Sequence, residues 1–220
     1  MILVKSNMQL FVSKMGTEYP ISSTANGPLA AEVAKSMPYF PFKGIERFYD
    51  ISPVIANPDL FNRLCDVLAA HIKTVGATKI AGVDARGFLF ISVAQKLGLP
   101  FVMVRKADKM PNCIRSESYS TEYDSKSGLA IQRNAATKGD KIVVLDDLLA
   151  TGGTMITAAK LFQQLGAEVV STVVVVELPI GGRAKMDAAG IPLFSFISNC
   201  DLLCTKAELP DDYVDDGEAH

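Results

Sequence analysis

Two aspartates followed closely by two glycines between threonines form the chemically densest stretch of the chain, Asp146-Asp147-Leu148-Leu149-Ala150-Thr151-Gly152-Gly153-Thr154. Paired glycines open backbone turns closed to other residues, so successive N–H groups can converge on an anion. A helix beginning at Thr154 adds the partial positive charge of its N-terminus, and Thr151 and Thr154 offer hydroxyl donors. The segment reads as a cradle for a monophosphate that needs no lysine. It is not a P-loop, because GxxxxGK(S/T) is absent, and it is not the GxGxxG dinucleotide fingerprint. Two carboxylates beside a phosphate repel it unless they bind something else. Ribose hydroxyls and a hydrated Mg²⁺, held by Asp146 and Asp147 through water, are their natural partners. Phosphate, diol and metal together describe a ribose phosphate that carries a pyrophosphate.

Two further polar segments offer chemistry of the same kind. Asp84-Ala85-Arg86-Gly87 can turn backbone N–H groups and the Arg86 guanidinium toward a diphosphate. Residues 105–128 form a long polar stretch carrying Arg105, Lys106, Lys109 and Arg115, and a loop of that length usually has a function.

The elements that must position these residues alternate along the chain. Strands are expected over Thr78–Val83, Leu99–Val104, Lys141–Asp147, Glu168–Glu177 and Pro192–Ile197. Between and before them lie helical patterns over Phe88–Leu97, Thr154–Leu165 and Gly182–Ala189, and one that follows Asn57-Pro58 with Leu60, Leu64, Leu68 and Ile72 on one stripe. Continuous β-branched runs separated by helices mean strands covered on both faces. The expected fold is therefore α/β, a doubly wound, mostly parallel five-stranded sheet whose ligands sit at the carboxyl ends of the strands. The three polar segments each follow an expected strand, so all three can face one cleft. Residues 1–37 read as an N-terminal extension or cap, 38–198 as the main domain and 199–220 as a C-terminal extension. Residues 37–44 read as an aromatic-rich loop, and the acidic end from Pro210 as a mobile tail.

With 220 residues, 49% apolar and 21% charged, the chain can bury a core of its own without staples. A formal net charge of -2 gives no global attraction to nucleic acid or to an anionic membrane, so neither is an expected partner. Cysteines at 65, 113, 200 and 204 and histidines at 71 and 220 leave no zinc-ligand spacing. Cys200 and Cys204 could pair, but free thiols in a reducing compartment are the expectation, and His71 is expected to be a packing residue. With no secretory signal pattern and only short, strand-like apolar runs, the expected location is the cytoplasm.

Val143 to Thr154 resembles the motif that binds phosphoribosyl pyrophosphate (PRPP) in the type I phosphoribosyltransferases, and its wording is similar to that of the branch acting on adenine. The resemblance runs from about Phe40 to Ile197 and includes Tyr49-Asp50-Ile51-Ser52-Pro53, Asp84 to Phe90, Arg105-Lys106, Lys109-Met110-Pro111, Ser118 to Tyr123, and Val176-Glu177-Leu178. It implies the type I phosphoribosyltransferase fold, with a flexible hood over the site made from residues 105–128 and a small N-terminal cap. Asp84 to Gly87 becomes the pyrophosphate loop, in which the peptide after the acid is often cis. Arg86, Lys109 and Arg105 become partners of pyrophosphate, Glu122 the group that moves a proton at the purine near N7, and Tyr123 a residue closing over the ligand. The base is implied to lie at Glu46-Arg47-Phe48-Tyr49, with Leu148 and Leu149 as an apolar face.

The implied activity is purine salvage, in which PRPP and adenine give AMP and pyrophosphate with Mg²⁺, carried out by a homodimer. Another base, guanine or hypoxanthine, and a PRPP-sensing regulator on the same fold stay open as readings. The chain departs from the family at Gly128-Leu129-Ala130-Ile131-Gln132, where many members carry two acids.

Overall fold

The computed structural model of the chain describes residues 25–116, 128–198 and 204–215. In order, its elements are α1 (Pro28–Ser36), β1 (Tyr39–Phe42), β2 (Ile45–Tyr49), α2 (Ser52–Ile55), α3 (Pro58–Thr74), β3 (Lys79–Val83), a 3₁₀ turn (Arg86–Phe90), α4 (Ile91–Leu97), β4 (Phe101–Lys106), β5 (Cys113–Arg115), β6 (Leu129–Gln132), β7 (Lys141–Leu149), α5 (Gly153–Gln164), β8 (Glu168–Glu177), α6 (Gly182–Ala188) and β9 (Leu193–Ile197).

The apolar runs that lack alternation become the parallel strands β3, β4, β7, β8 and β9, ordered β4-β3-β7-β8-β9. This is the doubly wound order 2-1-3-4-5, and its switch point lies between β3 and β7. Connections leave those two strands in opposite directions, so a crevice opens at their carboxyl ends. The sheet contains seven strands among the described residues, not five. The two extra strands, β5 and β6, pair antiparallel at one edge. Their three and four residues are too short to show a period in the sequence. They also give Leu129 to Gln132, the point of departure from the family, a fixed place beside β4.

Both faces of the sheet are covered, as the unbroken apolar runs require. On one side Leu60, Leu64, Leu68 and Ile72 of α3 pack with Ile80, Val143, Val173 and Val175. Asn57 starts that helix by accepting from the Leu60 N–H at 3.1 Å, with Pro58 in its first turn. On the other side Met155, Ala158, Ala159 and Phe162 of α5 pack with Ile142, Val144 and Val174. Leu29, Ala30, Val33 and Ala34 of α1 are buried in the first of these cores.

Several local expectations change. Residues 37–44 are not a plain loop: β1 and β2 form an antiparallel hairpin, with Tyr39 opposite Tyr49 and Phe40 opposite Phe48. The prolines hid it, because a two-stranded edge tolerates proline where an inner strand does not. Cys204 is disulfide-bonded, contrary to the expectation of free thiols throughout, while Cys65 and Cys113 are free. Residues 210–215, expected to be mobile, are held against the hairpin by side-chain contacts that acidic composition does not reveal. His71 is a packing residue as expected: its ring stacks on Phe194 at 3.8 Å, and burial lowers its pKa.

Candidate active site

At the carboxyl end of β7 the strand does not stop before the acids. Asp146 and Asp147 belong to it, with Asp146 beside Val174 of β8. The Asp147 N–H donates to Asp146 Oδ1 at 2.9 Å. The Asp147 side chain is 4% exposed and pairs with Arg86, Nε to Oδ2 at 2.8 Å. Burial raises the pKa of both carboxyls. The neighbouring Asp147 charge pushes Asp146 up further, whereas Arg86 opposes the rise at Asp147. Two adjacent carboxyls, one buried and one half-buried, with a single cation paired to Asp147, favour more positive charge at this point.

Arg86 reaches the acid because its turn lies directly on β7. A Cβ at Gly87 would come 2.6 Å from the Leu145 carbonyl oxygen, so only glycine lets the two backbones approach this closely. The Asp84–Ala85 peptide before it is cis. The Arg86 guanidinium also lies 4.8 Å from the centre of the Phe48 ring, which ties the turn to the hairpin. Arg105 on β4 donates from Nε to Asp84 Oδ2 at 3.2 Å and from Nη1 to the Lys109 carbonyl at 3.3 Å, while Lys109 itself is exposed. Asp84, Arg86, Arg105, Asp146 and Asp147 are thus linked at one end of the sheet. Glu122 and Tyr123 lie outside the described residues.

The segment expected to cradle a phosphate, Ala150 to Thr154, follows β7 directly. Gly152 sits at φ +85° ahead of α5 and accepts from the Ile156 N–H at 3.0 Å, closing the first turn. The first N–H groups of an α-helix have no acceptor within it and are open to an anion. The cradle rests on a second glycine turn. A Cβ at Gly182 would lie 2.1 Å from the Ala150 carbonyl oxygen, and the Gly182 carbonyl in turn crowds Gly152.

A buried polar cluster holds that second turn. Arg183 donates from Nε to Glu177 Oε1 at 2.8 Å and from Nη2 to Ser195 Oγ at 2.9 Å, and Ser195 donates to Glu177 Oε2 at 2.7 Å. Burial alone would raise the Glu177 pKa, but the Arg183 and Ser195 hydrogen bonds outweigh it and hold the carboxyl below its usual value. The sequence offered no period or spacing from which to expect this cluster. Only the register of β8 against β9 brings Glu177 and Ser195 together.

Beyond Thr151 opens a cavity of about 580 Å³, lined by the hairpin tip from Lys43 to Arg47 on one side and by Leu178, Pro179 and Ile180 on the other. Arg47 lies over the Tyr39 ring at 4.1 Å. Leu148 is half-buried against the first core and Leu149 lies in the second, so the apolar wall of the cavity comes from Leu178 to Ile180 instead. That segment sits where β8 turns toward α6, and its one signal in the sequence is Val176-Glu177-Leu178 in the family resemblance.

Among the described residues, no three His, Cys, Asp or Glu side chains gather into a metal cage. Mg²⁺ often takes only one or two carboxylates from protein and the rest from substrate and water. The buried Asp146–Asp147 pair, short of positive charge, fits that donor set. No helix among the described residues is long and apolar enough to cross a membrane.

Comparison with known proteins gives one consistent result. Residues 56–197 match the model of the phosphoribosyl transferase domain. The adenine phosphoribosyltransferase of Rattus norvegicus is 47% identical over 174 residues, which is 77% of this chain and 94% of the rat protein. The crystal structure of adenine phosphoribosyltransferase from Thermoanaerobacter pseudethanolicus superposes with a TM-score of 0.70 at 36% identity, covering 76% of this chain and 98% of that one. The enzyme of the same name from Saccharomyces cerevisiae, complexed with an imino-altritol bisphosphate and adenine, gives 0.69 at 34% identity, covering 76% and 98%.

Proposed function

The chain belongs to the phosphoribosyltransferase family, and from that premise we propose that it is the purine-salvage enzyme transferring the 5-phosphoribosyl group of PRPP to adenine, with AMP and pyrophosphate as products. The observation that carries the assignment is an adjacent acid pair, with Asp147 buried and ion-paired to Arg86, directly before a glycine-threonine turn that opens α5.

The 5′-phosphate sits on the N–H groups and hydroxyls of Ala150 to Thr154. Asp146 and Asp147 take the ribose diol and would hold Mg²⁺ through water, and the ion would supply positive charge to the departing pyrophosphate. Arg86, Arg105 and Lys109 meet the pyrophosphate, with Asp84 anchoring Arg105. Adenine occupies the cavity between the hairpin tip and Leu178 to Ile180, with Arg47 on its rim.

The bond between C1′ and the pyrophosphate oxygen breaks with its electron pair leaving on pyrophosphate. N9 of adenine bonds to C1′, and the N7 proton passes to the Glu122 carboxylate while Tyr123 closes over the ligand. Most of the rate then comes from placement and preset charge, not from a covalent enzyme intermediate. A homodimer working in the cytoplasm completes the proposal.

The test is pyrophosphate release from Mg²⁺-PRPP with a panel of adenine, guanine, hypoxanthine and orotate. Turnover with adenine alone is expected. Equal turnover with hypoxanthine would sink the adenine assignment, and tight PRPP binding without turnover of any base would turn the reading to a PRPP sensor.

A further inference from the structure

The C-terminal segment 204–215 lies beyond residue 197, where the match to the family model ends, yet it is bound to the hairpin at four points. Tyr39 donates its N–H to the Thr205 carbonyl at 2.9 Å, and Ala207 donates to the Tyr39 carbonyl at 2.8 Å, so the segment runs as a short parallel bridge beside β1. The Tyr213 ring meets the Phe40 ring edge to face, with centroids 6.1 Å apart. Its hydroxyl donates to the Pro41 carbonyl. Asp215 Oδ1 accepts from the Lys43 N–H at 2.6 Å. The buried, disulfide-bonded Cys204 anchors the near end.

These contacts reach a short hairpin that has little support of its own. Lys43 stands at φ +51°, an uncommon conformation for a side-chain-bearing residue, at the tip of a hairpin of four- and five-residue strands. A two-stranded sheet of that size is marginal by itself. The tip, Lys43 to Arg47, is also one whole wall of the cavity beyond Thr151.

We propose that residues 204–215 form a strap that sets the base pocket. By pinning Tyr39, Pro41 and Lys43 from outside, it fixes how closely the hairpin tip faces Leu178 to Ile180, and so governs affinity for the purine without touching it. Tyr213 and Asp215 are therefore positioning residues. The segment expected to cradle phosphate is backed by Gly182 instead. The inference rests on the reading of this cavity as the adenine site.

Steady-state kinetics on the full chain tests it, varying adenine and PRPP separately. Each strap hydrogen bond is worth roughly a factor of five in an equilibrium constant. Tyr213→Phe combined with Asp215→Ala is expected to raise the KM for adenine about tenfold or more, with kcat and the KM for PRPP unchanged. Asp215→Asn keeps an acceptor oxygen toward the Lys43 N–H and is expected to stay near wild type, which a general loss of folding would not reproduce. An unchanged adenine KM in the double variant, with the wild-type chain active on adenine, would overturn the strap alone. So would an equal rise in both KM values. A wild-type chain that turns over PRPP with other bases but not adenine would overturn the pocket reading and the strap with it.

Discussion

The phosphate side of the cleft is contiguous, running from Asp146 to Thr154 along the end of β7 and into α5, and β7 is flanked by β3 and β8. The base side gathers a hairpin tip, Thr151 and the turn after β8 from three parts of the chain, and the hairpin leans on a terminal strap. The Asp146 to Thr154 segment is tied to the central sheet, so under the proposed function PRPP would meet a site already in place. The proposed base wall depends on a two-stranded hairpin and a loop for its position. Placing the polyanion on the preset half and the smaller, flat purine on the adjustable half suits a reaction in which charge must be preset and the nucleophile need only be held in line.

The largest effect should come from Asp147→Asn, which removes one of the two charges the cradle side offers to a cation and diol. Steady-state assays should show kcat/KM with PRPP falling about 100-fold or more. The same change should stabilise the ligand-free protein at neutral pH. Burial raises both acids in the fold, so the folded state binds protons more readily than the unfolded chain. The stability this allows is fully present below the ordinary carboxylate range and is lost as pH rises through the raised values. Thermal melts without ligand should therefore show the wild type losing stability relative to Asp147→Asn as pH rises from the acid range to neutrality. An equal slope in both would break the picture of a strained, waiting acid pair.

Next in size is Gly182→Val. Its Cβ would enter the Ala150 carbonyl at 2.1 Å, and overpacking of that kind costs about 1–3 kcal/mol. Titration calorimetry should show PRPP affinity weakened about tenfold or more. Equal weakening of adenine would mean that the two sides are coupled, contrary to the comparison.

The smallest effect is expected at the supporting cluster. Arg183→Ala leaves Glu177 buried with one partner fewer and should cost about 1–3 kcal/mol in denaturant melts. A KM rise confined to PRPP and smaller than that of Gly182→Val should accompany it. Arg183→Lys should recover part of both losses.

Much of this molecule is local in origin. Asp146 to Thr154 could be read as a phosphate, diol and metal site because its residues are adjacent and act through their own backbone. β3, β4, β7, β8 and β9 were equally readable, since an inner parallel strand buries both faces and must be apolar throughout. The hairpin was not, because prolines and a two-residue tip resemble a loop. Nor was Arg86's contact with Asp147, which depends on Gly87 lying against Leu145. The Glu177–Arg183–Ser195 cluster exists only once β8 and β9 are in register.

The sequence alone singled out the acid pair and the glycine-threonine turn after it, down to the residues. Tertiary structure decided what stands behind them and what faces them: the glycine turn at Gly182, the wall from Leu178 to Ile180, and the strap on the hairpin. The reason is physical. A helix N-terminus and a strand end carry their hydrogen-bonding geometry within a few residues, whereas a cavity is defined by surfaces whose separation in sequence says nothing about their distance in space.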